Sequence, residues 1–101
     1  MASRKLIVLE IALSELEEAC LYYNQQVNGL GFDFEQEIFI LLELIKNNPL
    51  LFPTKFAHIH EAVVKRFPFV ITYEIMEKEI IVSAIFHTKQ NPVKKVKRKR
   101  K

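Results

Sequence analysis

Ala12, Leu16, Ala19, Tyr23 and Val27 recur at intervals of three or four residues, while Glu15, Glu18, Asn24 and Gln25 fall between them. That spacing lays one apolar stripe along a helix, so residues 11–27 are predicted to be helical. Phe34, Ile38, Leu41 and Ile45 repeat the stripe in the next segment. Asp33 and Glu35 stand near its start, where the helix macrodipole favours anions. Between the two runs, "NGLG" at 28–31 holds the only two glycines of the chain, a helix stop followed by a turn. Pro49 in "NNP" disfavours helical backbone at Asn48 and closes the second run. The two helices therefore form a hairpin.

The period changes on either side of the hairpin. "KLIVLE" at 5–10 is short, apolar and partly β-branched, a first strand. "LLFPTKFAHIH" at 50–60, with Pro49 before it and Pro53 inside it, reads as a loop that ends in a strand. Three strand candidates follow at 61–67, 68–76 and 80–87, and "MEKE" at 76–79 is a hairpin connection between the last two. Alternation puts Phe69, Ile71, Tyr73 and Ile75 on one face of the middle strand and Val70, Thr72 and Glu74 on the other. In the last strand it separates Ile81, Ser83, Ile85 and His87 from Ile80, Val82, Ala84 and Phe86. Neither set is polar, so the sheet is expected to be covered by the helices on one side and partly covered on the other. The order β-α-α-β-β-β makes an α+β fold, an N-terminal strand and a helical hairpin packed on a mostly antiparallel sheet.

Composition narrows the class. With 101 residues, half of them hydrophobic, the chain suits one small domain over residues 1–93. No apolar run approaches the roughly 18 residues that cross a bilayer. The N-terminal stretch is broken by Glu10, Glu15, Glu17 and Glu18 and lacks the apolar centre of a secretory signal. Cys20 is the only cysteine, so no internal disulfide forms and a cytoplasmic location is expected. A lone helical cysteine is more often a small packing residue than a nucleophile.

The net charge of +3 conceals an asymmetry: "KKVKRKRK" at 94–101 carries seven of the fifteen basic residues. The remaining eight oppose twelve acidic residues, which leaves the body at −4 and the end at +7. Lys94, Lys95, Lys97 and Arg98 thus belong to a basic, disordered tail suited to nucleic acid or an acidic partner. A merely solvated tail is the plainer alternative.

The common catalytic patterns are missing: no glycine-rich phosphate loop, no CxxC, no HExxH and no nucleophile elbow. His58 and His60 at i, i+2, beside Glu61, resemble half a metal site, but a structural zinc site needs four ligands and only Cys20 and His87 remain to supply them. No metal and no cofactor is expected. What is left is a basic set near the sheet: Lys55, Lys65, Arg66, His87 and Lys89. Fixed cations on rigid elements position a phosphodiester, and Arg66 at a strand entrance offers the planar fork for it. His87 at a strand end is suited to proton transfer near neutral pH. Against this, Lys65 and Arg66 also fit the role of charges guarding an edge strand from aggregation.

At these residues the chain resembles the RelE/ParE superfamily of toxin-antitoxin toxins, often labelled plasmid stabilisation proteins. The resemblance covers about residues 5 to 92. Its most specific part is the run "RFPFVITY" from Arg66 to Tyr73, followed by "IIVSAIFHTKQNP" with His87 closing the strand. It implies a small bacterial protein that inhibits growth as the toxin of a type II toxin-antitoxin system. A cognate antitoxin neutralises it, in a heteromer or as a dimer, with no membrane involved. RelE-like members enter the ribosomal A site and cut mRNA through basic side chains and an aromatic or histidine near the C-terminus. ParE-like members inhibit DNA gyrase by binding. Ribonuclease members commonly carry an arginine inside the strand where this chain has Val70, and a terminal tyrosine where Thr88 follows His87. The chain therefore sits closer to the ParE-like side, a growth inhibitor acting by binding, with gyrase as one candidate target. The alternatives are a ribosome-dependent endoribonuclease, with Arg66 and Lys65 on the phosphate and His87 as general acid, and a non-toxic interaction protein retaining the fold. In all of these Lys55, Lys65, Lys89 and the tail cations are the contacts expected to meet a target.

Overall fold

The computed structural model describes residues 4–89. The elements run β1 (Lys5–Val8), α1 (Glu10–Gln26), α2 (Leu30–Asn47), β2 (Thr54–Phe56), β3 (Ile59–Val63), β4 (Phe69–Ile75) and β5 (Glu79–His87). All five strands share one sheet in the order β1-β5-β4-β3-β2. Only the β1–β5 pair is parallel. The fold is α+β, with the helical hairpin on one face of a mostly antiparallel sheet. The expected tail at 94–101 lies outside the described residues.

The apolar stripes are the faces that turn inward. Ala12, Leu16 and Ala19 of α1 are buried, as are Phe34, Ile38, Leu41 and Ile45 of α2. Tyr23 packs against this core from its rim, whereas Val27 is an exposed C-cap residue with extended backbone. The two glycines divide the work between the helices. Gly29 takes φ +89 and turns the chain, a conformation in which a β-carbon is strained. Gly31 lies inside the first turn of α2, where an added Cβ would meet the Cys20 carbonyl oxygen of α1. The Asn24 side-chain oxygen accepts a hydrogen bond from the Gly31 amide at 2.8 Å and fixes that close approach.

Two departures from the expected strands reposition candidate residues. The segment 61–67 is not one strand: β3 ends at Val63, and Arg66 sits in the connection to β4 with φ +71. The Phe69 carbonyl accepts from the Val64 amide at 2.9 Å, and the Phe69 amide donates to the Phe67 carbonyl at 2.8 Å, closing a tight turn around Pro68. A chain that must turn there cannot continue the ladder.

The second departure is a bulge in β5. Thr72 is opposite Ala84 and Tyr73 is opposite Val82, which leaves Ser83 as the extra residue. One extra residue inverts the alternation beyond it. Ile80, Val82 and Ile85 therefore all join the helix-facing core, and Ala84 and Phe86 form a separate buried cluster with Val70 on the other face. Ser83 is itself buried, with its hydroxyl 2.9 Å from that of Thr72 and 3.3 Å from the Thr72 carbonyl oxygen.

The core is aromatic at the end where β4 begins. The rings of Tyr23, Phe34, Phe67 and Phe69 lie 4.8 to 6.2 Å apart in tilted and edge-on pairs. Each large side chain withdrawn from water there contributes about 1.5–3 kcal/mol. At the other end the Tyr73 hydroxyl donates to the Pro49 carbonyl at 2.7 Å, and His60 stacks on the Tyr73 ring at 5.0 Å. His60 Nδ1 lies 2.7 Å from the Phe52 carbonyl oxygen, so that nitrogen carries the proton. These two bonds tie the loop after α2 to the sheet.

Candidate functional site

The sheet end where β4 starts and β5 stops gathers several of the candidate residues. Phe69 is paired with His87, and the Thr88 amide donates to the Pro68 carbonyl at 2.8 Å, so the 64–68 connection is tied to the end of β5. Lys65, Arg66, His87 and Lys89 all belong to this end. Lys55 does not: it lies in β2, three strand spacings from β5, about 14 Å across the sheet.

Arg66 is exposed but engaged. Its Nη1 donates to Glu37 Oε2 at 3.2 Å, its Nη2 stands 3.9 Å from Asp33 Oδ2, and its guanidinium carbon lies 5.5 Å from the centroid of the Phe67 ring. Both carboxylates belong to the first turns of α2. The guanidinium therefore faces the helix, and a phosphate could use it only in competition with two anions. Lys65 and Lys89 are exposed beside it.

His87 follows the bulge onto the helix side of the sheet. Its ring meets Phe69 edge-on at 5.3 Å, and its Nδ1 accepts the Lys89 amide at 3.1 Å, which leaves Nε2 as the protonated nitrogen of the neutral ring. It lines a groove of about 430 Å³ whose other walls include Glu15, Glu18 and Tyr22 of α1 and Ile85 of β5. Arg66 and His87 thus share one end of the sheet, yet one is turned to α2 and the other to α1.

The sheet face away from the helices holds the position where the resemblance would put an arginine in a ribonuclease. Val70 is buried there with Ala84 and Phe86. Two basic groups that reach this face are matched: Lys55 Nζ stands 3.9 Å from Glu61, and His58 Nε2 stands 3.4 Å from Glu74. The predicted sharing of one face by His58 and His60 does not occur, because the chain turns at Ala57 with φ +52 and sends His58 to Glu74 and His60 to Tyr73. Among the described residues no group of three His, Cys, Asp or Glu is placed to hold a metal. No helix of the described residues is long and apolar enough to cross a membrane.

Cys20 is a half-buried free thiol. Burial pushes its pKa up, and the nearby Glu35 and Glu17 push it in the same direction. The thiolate needed for nucleophilic chemistry is therefore disfavoured.

Sequence reasoning gave less weight to the outer helix surface. Leu13 and Leu21 of α1 and Phe32, Phe39 and Ile40 of α2 are exposed, with Phe32 at 60% and Leu21 at 65%. The antiparallel hairpin, in register at Cys20 and Gly31, sets Phe39 at the level of Leu13 and Phe32 near Leu21. The signal was present as a second apolar line, Phe32 and Phe39 at i, i+7, beside the core stripe of α2.

No family model matches the chain, and no curated protein matches it. Among solved structures, a chain of the chromosomal ParDE TA system from P. aeruginosa aligns with a TM-score of 0.76 at 16% identity, over 84% of this chain and 96% of that one. The two chains share a fold.

Proposed function

We propose that this protein is the toxin of a type II toxin-antitoxin pair, that it arrests growth by binding an essential target, and that a cognate antitoxin neutralises it. The shared fold with a chain of a ParDE system and the Arg66–Tyr73 run support the toxin reading. The choice of binding over RNA cleavage is carried by one observation. Where the resemblance would place an arginine in a ribonuclease, Val70 is buried against Ala84 and Phe86. Losing a preorganised charge stabiliser costs about 10²–10³ in rate. The engagement of Arg66 with Glu37 and Asp33 supports the same choice. Lys65 and Lys89, exposed at one end of the sheet, and the tail cations are the target contacts in this reading, and DNA gyrase is the first target to test.

The antitoxin occupies the exposed apolar seam of the hairpin, where Leu13, Leu21, Phe32 and Phe39 offer a row of anchors to an amphipathic segment that folds on binding. Induction of the chain alone is expected to halt growth. Co-expression of the small protein encoded beside it is expected to restore growth. Arg66→Ala and His87→Ala are expected to keep the arrest. Loss of toxicity in both folded variants would instead assign them the catalytic roles of a ribonuclease, and unhindered growth with the unaltered chain would reject the toxin reading.

A further inference from the structure

β5 is longer than its parallel neighbour. β1 stops at Val8 opposite Val82, and among the described residues no strand covers that edge of β5 from Ser83 to His87. The edge is managed by a side chain: Glu15 Oε1 of α1 accepts the Ile85 amide at 2.9 Å. Between α1 and this edge lies the groove already described, with an apolar floor of Ala19, Tyr23, Phe69 and Ile85 and an acidic wall of Glu15 and Glu18. The wall belongs to a helix that carries four glutamates and no basic residue.

We propose that this groove is the docking site of the chain's own basic C-terminal segment, residues 90–101. Three observations select that occupant. The chain leaves the described residues at Lys89, two positions beyond His87 on the groove's rim. From there, Lys94 is within about 17 Å at full extension, enough to enter the groove. The segment's seven cations, interrupted by Val96 and preceded by Val93, complement a wall of carboxylates above an apolar floor. Tyr22, exposed on the same wall, presents an aromatic face to a lysine or arginine.

A tether this short gives an effective concentration on the order of millimolar, so even a weak site is filled intramolecularly. Docking keeps the tail's charge against α1, and a polyanionic or acidic target must compete with Glu15 and Glu18 to recruit it. The inference is independent of whether the chain arrests growth.

The test uses the full-length chain with Cys20→Ala and Lys99→Cys, a spin label on the new thiol, and amide NMR signals as the readout. Signals of Tyr22, Ile85, Phe86 and His87 are expected to be broadened away, while those of the far edge at Thr54 and Phe56 persist. Glu18→Lys, an exposed substitution, is expected to restore them, as is roughly 1 M salt, where the Debye length falls to about 3 Å. Far-ultraviolet circular dichroism, with the unaltered signals of Thr54 and Phe56 at the far edge, reports that each variant remains folded. Groove signals that stay sharp next to the labelled tail overturn the proposal. So does broadening that appears only when labelled and unlabelled molecules are mixed, since the occupant is then a second copy.

Discussion

Tyr73 joins three parts of the molecule: it is fully buried, donates to Pro49 of the loop after α2, and carries His60 on its ring. Tyr73→Phe leaves the Pro49 carbonyl without this donor and is expected to cost about 1–3 kcal/mol. Burial pushes the Tyr73 pKa up to about 12, partly opposed by a backbone hydrogen bond at Phe52. The sign follows from linkage. Below the ordinary phenol value of about 10, folded and unfolded states both hold the proton and stability is unaffected. Above it the unfolded state sheds the proton first, and stability falls by about 1.4 kcal/mol per pH unit until the folded group titrates. Burial also raises Tyr23 and Cys20, so they add in the same direction. Urea unfolding followed by circular dichroism at about pH 9 and about pH 11 is expected to show this loss, and Tyr73→Phe is expected to remove part of it. The two glycines give a second contrast. Gly31→Ala drives a methyl group into the Cys20 carbonyl and is expected to cost about 1–3 kcal/mol. Gly29→Ala meets no neighbour and is expected to cost about 1 kcal/mol for its positive φ alone. Thermal midpoints of the two variants decide between these.

At the scale of elements, two local irregularities place the candidate site. Deletion of Ser83 removes the extra residue and leaves Val82, Ala84, Ile85, Phe86 and His87 in strict alternation, so Ile85 and His87 keep their faces. That deletion is therefore expected to leave the chain folded, and Ser83→Ala is expected to cost only about 1 kcal/mol for its hydroxyl contacts. Arg66 is held at φ +71, so Arg66→Gly is expected to be more stable than Arg66→Ala by about 1 kcal/mol, although both lose the pairs to Glu37 and Asp33. Denaturant midpoints compare the pair. The stripes of both helices, the hairpin and the succession of helices and strands along the chain were legible because burial imposes a period on the sequence. The bulge was not, since Ser83 fits strict alternation as well as it fits an extra residue, and only the register against β4 distinguishes them. The turn at Arg66 was hidden for a similar reason: its left-handed backbone is rescued by a tertiary pairing with α2 that local sequence does not announce. The candidate residues were individually visible, but their directions were not. Arg66 and His87 lie at the same end of the sheet and face different helices.

At the scale of the whole molecule, a fold shared at 16% identity shows that the arrangement of stripes and strands tolerates wide replacement of residues. What distinguishes one chain of this fold from another is its surface. Here the sheet face away from the helices is apolar and charge-matched, the hairpin seam is apolar, and surplus positive charge is concentrated after residue 93. Phe32→Glu and Phe39→Glu alter exposed positions and are expected to leave folding and growth arrest intact while reducing rescue by the co-expressed partner. Retained rescue in both would move the partner off the seam. The central claim, arrest by binding rather than by cutting mRNA, is tested most directly by labelled-methionine incorporation in the first minutes after the chain is induced alone. The account predicts that translation continues while growth later fails with DNA damage or filamentation. An immediate collapse of incorporation, ahead of any effect on DNA, would contradict it.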